Sequence, residues 1–451
     1  MFMPVSLHHS AYDYGAGIGS IWEQVLGIAP KVFGRLEGSE TCDIVVIGAG
    51  ITGLTTALTL AREYQAKVIV IDAASVGWGS TGRGLGFVGP APFATYKRLL
   101  DSQSAKPSVA DMLATDLESI ELVGEIARSE NIDLRMAGSG IITVARNDAE
   151  VTALRVMTDA ILQQNMSKHF TALSKEELDQ QWINSPSVIS GFLTQPAYGV
   201  DPFYLAHQLV AACERYNVRI YGGTRVREIV ERKAWIGVRY RGGTLAASHA
   251  VVATNAFSRG RSITDIADRM YPILFHGIAT RPLTEPELMS NGLKRPLILR
   301  AEDSTTGPMM LRVLPDRRVA FTAVTTLDAD PSRASDVKFR MRAKFLSLLP
   351  GLRDVQTTHS WRGIGGRTEL GVPHVGPLTE KGRLIYAGAL DFDSVNWSVW
   401  MGKTAAELIA NPGAVADKPF VHRAVMPRIR FAGWKLRSLA KQINKSSAIT
   451  A

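Results

Sequence analysis

Twelve residues constrain this chain more than any other stretch: Cys42-Asp43-Ile44-Val45-Val46-Ile47-Gly48-Ala49-Gly50-Ile51-Thr52-Gly53. An apolar run ends in three glycines spaced G-x-G-x-x-G, and a second apolar run, Lys67-Val68-Ile69-Val70-Ile71, closes on Asp72. The order predicts strand, glycine turn, helix and strand, the unit that binds a dinucleotide. Gly48 makes the tight turn, Gly50 lets the backbone approach a pyrophosphate, and Gly53 lets the helix pack on the strand. The helix N-terminus, through Ile51 and Thr52, offers N–H groups to phosphate. Asp72 lies 19 residues beyond Gly53, close to the roughly 20-residue spacing at which an acid accepts hydrogen bonds from a ribose diol, with Ala73 beside it. A carboxylate there repels a 2′-phosphate, which argues against NADP. At this point NAD and FAD both remain open.

The chain carries its own control, because Gly77-Trp78-Gly79-Ser80-Thr81-Gly82 matches the same spacing. No strand leads directly into that second match, so spacing alone is weak and the ordered context of the first is what counts. Residues 44–61 contain no charge, as a membrane span would. Three glycines and the strand-turn-helix order make a buried βα unit the better reading.

With 451 residues, 46% of them hydrophobic, the chain can bury a large core divided between two lobes. Two cysteines, Cys42 and Cys213, make no disulfide framework. Together with an N-terminus lacking a signal-peptide pattern, they lead us to expect a cytoplasmic protein. The net charge of +9 is mostly local: eight Lys or Arg and no Asp or Glu follow from Lys418 to the end, leaving the body at +1. Nucleic acid is therefore not an expected partner. The tail mixes Phe431, Trp434 and Leu439 with Arg430, Lys435 and Lys441. It reads either as a basic helix on an anionic membrane face, possible at the inner membrane, or as a terminal helix packed on the body. The nine histidines show no metal-ligand spacing, and no metal is expected.

Periodicity predicts helices over 108–129, 148–164, 203–216, 335–348 and 395–410, the last stopped by Asn411-Pro412-Gly413. Strands are expected at 138–144, 218–221, 224–230 and 249–256, with a hairpin at 235–246. Residues 271–321 are β-rich, and 384–388 is the strand of a final βα unit. Residues 1–39 read as an arm that wraps the body or lacks order.

Several motifs now stand in one order: Gly48 to Gly53, Gly77 to Arg83, Val200-Asp201-Pro202, Thr224-Arg225-Val226, Val252-Ala253-Thr254-Asn255-Ala256, Gly371-Val372-Pro373-His374-Val375-Gly376 and Tyr386-Ala387-Gly388. In this order, over residues 40–412, the chain resembles the FAD-dependent D-amino-acid oxidase superfamily, in its glycine oxidase and gamma-glutamylputrescine oxidase branch. The resemblance implies an α/β fold with a Rossmann-like FAD-binding domain, discontinuous in sequence, and a β-rich α+β substrate domain. The expected boundaries are 1–39 for the arm, 40–95, 190–260 and 355–415 for the FAD-binding domain, 96–189 and 261–354 for the substrate domain, and 416–451 for the basic tail.

Residue by residue, the resemblance places Ser80, Thr81, Gly82 and Arg83 near the FAD diphosphate and flavin. It sets Val226 against the adenine and closes Ala253 and Thr254 over the adenosine half. Gly388 begins the flavin-facing turn, with Asp393, Ser394 and Val395 at the start of the last helix. The family chemistry is hydride transfer from an amine or amino acid to the flavin N5, giving an imine that hydrolyses; the cofactor supplies the hard step. Some relatives tether the flavin through a C-terminal cysteine. This chain has none after Cys213, so FAD is expected to be non-covalent.

Arg312 matches a position where the family often carries an inward arginine for a substrate carboxylate, and His276, with Arg281, flanks the strand Gly277 to Thr280 that in the family reaches toward the pocket. Two departures qualify the family pattern. Ala389-Leu390-Asp391-Phe392-Asp393-Ser394-Val395-Asn396 replaces small residues after Gly388, and Gly84-Leu85 replaces Asn-Gly. Either Asp393 or Ser394 serves as a helix N-cap, or a carboxylate beside the flavin opposes its reduction. Beside an FAD amine or amino-acid oxidoreductase stand a membrane-peripheral dehydrogenase feeding quinone and a non-catalytic flavin-binding partner subunit.

Overall fold

A computed structural model describes residues 9–25, 27–102, 107–163, 167–257, 269–293, 296–301, 308–324, 332, 334–368, 371–390, 394–422 and 424–426. Two eight-stranded sheets organise them. The first runs in the order His374–Pro377, Leu384–Gly388, Gly243–Val252, Glu40–Ile47, Val68–Ile71, Arg219–Tyr221, with Val226–Glu231 and Ile236–Tyr240 joined to the start of Gly243–Val252. From Leu384–Gly388 to Arg219–Tyr221 every pairing is parallel. Val68–Ile71 is buried along its whole length, as a β-branched run covered on both faces must be. The expected hairpin over 235–246 forms, but its second strand continues unbroken to Val252, because Leu245 to Val252 also pair with Glu40 to Ile47.

The helix Ile51–Tyr64 covers one face of this sheet. Its contact with the strand depends on Gly53, where a Cβ would stand 1.9 Å from the Gly48 carbonyl oxygen. The last helix, Val395–Ala410, crosses it at Gly402, whose Cβ would lie 2.5 Å from the Thr52 carbonyl oxygen. A third helix, Val109–Glu130, begins with a reciprocal capping box between Ser108 and Asp111 and ends on left-handed Asn131. At its end Glu130 pairs with Arg62 at 2.8 Å and Arg215 at 2.6 Å, tying it to two neighbouring helices. Trp397, Trp400 and Phe420 fill the space between with edge-on rings 5.0–6.4 Å apart. Each such aromatic contact contributes about 0.5–1.5 kcal/mol beyond the area it buries.

The second sheet runs Thr357–Arg367, Tyr271–Thr280, Val319–Ala323, Met309–Val313, Ile298–Ala301, Ile141–Ala145, Ser190–Thr194, Phe170–Leu173. It is antiparallel except where Ile298–Ala301 meets Ile141–Ala145. Ser190–Thr194 and Thr357–Arg367, expected in the nucleotide half, hydrogen-bond within this sheet instead. The helix Ala334–Leu348 packs on it through Val337, Met341, Phe345 and Leu348. Residues 9–25 wrap the body: Ile21 and Trp22 are buried, and the Trp22 indole donates to the Gly84 carbonyl at 2.6 Å. Among the described residues no helix is long and apolar enough to cross a membrane. The basic tail from residue 427 lies outside the described residues.

Candidate functional site

The glycine turn opens a groove along the C-terminal edge of the parallel sheet. Gly48 adopts a left-handed φ of 113°, and a Cβ on it would meet the Ala253 carbonyl oxygen at 2.8 Å. No side chain caps the helix at Gly50, while the Ile51 N–H donates to the Thr81 hydroxyl at 3.3 Å. At the closing end of the second strand, the Asp72 carboxylate accepts from the Ala49 N–H at 2.7 Å and the Ala74 N–H at 2.8 Å. Burial raises its pKa, and these two N–H groups oppose the shift.

Gly48, Gly50, Ile51, Thr52, Asp72, Ala73, Ser80, Thr81, Val226, Ala253 and Thr254 all line this groove. Its next stretch is walled by Ile51, Ser80, Thr81, Gly84, Phe275, Gly365, Leu390, Ser394 and Val395, and so runs between the two sheets. Leu390 and Ser394 also belong to a terminal chamber with Pro90, Pro92, Met112, Arg300 and Trp397. The three adjoining cavities share Leu390, and the last two also share Ser394, so segments far apart in sequence meet along one line of cavities.

Other expected residues stand behind this surface. Gly53 and Gly82 are packing positions; at Gly82 a Cβ would meet the Gly77 carbonyl oxygen at 2.6 Å. The Arg83 guanidinium lies 4.2 Å from the Trp78 ring and donates to the Gly79 carbonyl at 3.3 Å. Burial pulls its pKa down to about 10, against the raising effect of Glu23. Gly388 ends its strand opposite His374, and it is Ala389 and Leu390 that reach the channel. Ser394 is the N-cap of the last helix without a side-chain capping bond. Asp393, with Asp391 and Phe392, lies outside the described residues.

Neither expected catalytic residue lines the channel segments. Arg312 is 2% exposed and donates to the carbonyls of Val200 and, at 2.8 Å, Leu85. The family resemblance placed it on the inward side of its strand, but at that point backbone carbonyls meet it. His276 is buried in the second sheet, and burial with the nearby Arg362 pushes its pKa down to about 4. Its neighbour Phe275 faces the channel instead, since successive strand residues point to opposite faces.

A buried polar cluster behind the terminal chamber escaped the sequence reading. The Asp116 carboxylate accepts from the Ala91 N–H at 3.1 Å, the Trp397 indole at 2.6 Å and the Tyr96 hydroxyl. Arg300 donates to the carbonyls of Ala91 at 3.1 Å and Pro90 at 3.2 Å. Burial raises the Asp116 carboxyl to about 6, while the Tyr96 and Trp397 hydrogen bonds and the Arg300 charge lower it. Asn396 donates to the Ser119 hydroxyl at 2.7 Å and accepts from the Gly89 N–H at 3.1 Å. One signal was available: Asp116 occurs at the helical spacing of Met112 and Ile120, an acid inside an apolar stripe. Tyr14, which lines the groove from the arm, gave no comparable signal.

The family model for FAD-dependent oxidoreductases matches residues 43–408. The chain is 26% identical over 384 residues to gamma-glutamylputrescine oxidoreductase of Escherichia coli, covering 84% of this chain and 85% of the relative. Probable oxidoreductase OrdL of Haemophilus influenzae is 25% identical over 391 residues, covering 84% and 85% respectively. Among solved structures, glycine oxidase from Geobacillus kaustophilus superposes with a TM-score of 0.68 at 19% identity, over 85% of this chain and 99% of that one.

Proposed function

This chain belongs to the FAD-dependent oxidoreductase family, whose members related to it act on amines or amino acids, and from that premise we propose that it oxidises the C–N bond of a small amine or amino acid. The observation that carries this reading is the line of adjoining cavities from Asp72, past Ile51 and Thr81, to Ser394 and Leu390 between the sheets. Its shape and donors suit FAD: a glycine cradle where added Cβ atoms would collide, an acid at the ribose position, and a helix N-terminus at the diphosphate position. Bound FAD supplies the two-electron acceptor for a hydride from the carbon bearing nitrogen.

The residues' own parts follow from where they stand. Asp72 accepts from ribose hydroxyls, and the N–H groups at the start of Ile51–Tyr64 hold the diphosphate. Val226, Ala253 and Thr254 flank the adenosine. Ser394 and Val395 present the first turn of the last helix, where partial positive charge from the peptide dipoles favours an electron-rich ring edge. Phe275 and Leu390 wall the channel with apolar surface, which excludes water where the substrate carbon is held and lets the imine leave before it hydrolyses in bulk solvent. Neither Cys42 nor Cys213 lines these cavities, so neither cysteine is placed to tether FAD. Incubating the FAD-loaded protein in air with a panel of amines and amino acids tests the reading. Equal amounts of ammonia or amine and a carbonyl product are expected from at least one substrate; none from any of them would defeat it.

A further inference from the structure

The second sheet sends two arginines inward, Arg300 and Arg312, and both are 4% exposed or less. Each is engaged by backbone: Arg312 by Leu85 and Val200, Arg300 by Pro90 and Ala91. A guanidinium binds a carboxylate most strongly through two parallel N–H groups. These two direct N–H groups at main-chain carbonyls instead.

At the terminal chamber Ala91 joins Arg300 to Asp116, its carbonyl accepting from the guanidinium and its N–H donating to the carboxylate, each at 3.1 Å, and the two opposite charges lie close enough to interact. Asp116 lies one layer behind the wall, and the same Ala91 and Trp397 that it holds are part of that wall. Among the described residues, what otherwise faces the space is largely apolar: Pro90, Pro92, Met112, Leu390 and Trp397, with the Thr95 and Ser394 hydroxyls. A free carboxylate entering there loses its water and meets an arginine whose charge Asp116 opposes from behind the wall, whereas an alkyl group buries apolar area without that penalty.

We propose that the terminal chamber receives an apolar substituent of the substrate, and that Asp116 sets this preference by opposing the charge of Arg300. The substrate class is then an amine whose far end is hydrocarbon. The proposal rests on the amine-oxidising reading above and sharpens it. Asp116 touches neither substrate nor cofactor and acts as a positioning residue.

The test is equilibrium binding to the dithionite-reduced, FAD-loaded protein, where turnover cannot occur. Calorimetry compares butylamine and hexylamine with 4-aminobutanoate and 6-aminohexanoate. Hexylamine should bind more tightly than butylamine by about threefold or more per added methylene until the chamber is full. Both amino acids should bind at least tenfold more weakly than their alkylamine partners. Asp116→Asn should strengthen 6-aminohexanoate binding on the order of tenfold while leaving hexylamine little changed. Arg300→Gln should weaken 6-aminohexanoate further. The visible flavin band before reduction reports whether each variant is folded and loaded. Tighter binding of the carboxylates to the wild type, or identical effects of the two variants on them, would overturn the proposal and leave amine oxidation standing. Failure of every amine, in binding and in the aerobic product assay, would overturn both.

Discussion

Replacing Gly53 with alanine separates the role of the helix–strand contact from that of the groove surface. The new Cβ would stand 1.9 Å from the Gly48 carbonyl oxygen and 3.2 Å from a Val46 methyl. To restore an ordinary contact, the helix must retreat by about 1.5 Å, and its opponent is backbone, which cannot rotate away. N–H groups set for hydrogen bonds near 2.9 Å would then be more than 4 Å from a diphosphate, beyond useful range. Losing one or two bonds to a charged group costs about 2–4 kcal/mol, or roughly 30- to 1000-fold in FAD affinity. Overpacking should also lower the stability of the FAD-free protein by about 1–3 kcal/mol. Gly50→Ala is the control. Its Cβ meets only the Thr81 hydroxyl, at 3.1 Å, so the FAD-free protein should melt like wild type while FAD binding weakens, because Gly50 lines the groove. Fluorescence-quenching titration of FAD and thermal melts of both variants give the comparison. If Gly53→Ala binds FAD within threefold of wild type and melts unchanged, the helix–strand contact does not set the site.

Three further outcomes follow from particular residues. Ala389 is held at a left-handed φ of 66°, which costs about 1–2 kcal/mol relative to glycine, partly offset by the roughly 0.4–1 kcal/mol that glycine returns to the unfolded chain. Ala389→Gly should therefore be stabilised by up to about 1 kcal/mol in urea unfolding, and a clear loss would contradict the strain assignment. His276, pushed from 6.5 down to about 4 by burial and Arg362, takes up its proton later in the folded than in the unfolded chain. Stability from this group is therefore present above pH 6.5 and lost as pH falls toward 4; His276→Gln should flatten the fall in melting temperature over that range. The raised Asp116 carboxyl, near 6, is faced by Tyr96 and Arg300 among the described residues. Lowering pH through 6 neutralises it and leaves the Arg300 charge exposed, so 6-aminohexanoate binding should strengthen, and this pH dependence should vanish in Asp116→Asn.

How far the sequence was legible depended on whether a residue's role is local. The three glycines, Asp72 and the β-branched run Val68–Ile71 carry their geometry in a few neighbouring positions, so turn, helix and parallel strands could all be read directly. The sequence Ser174-Lys175-Glu176-Glu177 carries a capping box in four neighbouring positions, and both of its reciprocal bonds form. Family resemblance extended the reading to Val226 and Ala253, which no local pattern marks. Arg312 shows the limit: the family resemblance puts its side chain on the inner face, but what it meets there is set by Leu85 and Val200 from distant segments. Likewise Ser190–Thr194 and Thr357–Arg367 fell inside segments expected in the nucleotide half, yet the sheet each joins is chosen by distant partners at Ile141–Ala145 and Tyr271–Thr280. Asp116 lay within reach, since an acid in the apolar stripe of an amphipathic helix requires buried partners. Tyr96, Trp397 and Arg300 could not be named from that signal, because they arrive from three other elements.

The central claim is that FAD lies in the channel between the sheets and takes hydride from an amine. Anaerobic titration of the purified, FAD-loaded protein with alkylamines and amino acids, followed in the visible spectrum, tests it most directly. The account predicts that at least one amine bleaches the flavin band stoichiometrically, and that Gly53→Ala, loaded with far less FAD, shows a correspondingly smaller band to bleach. A full flavin band that no amine or amino acid bleaches would contradict it.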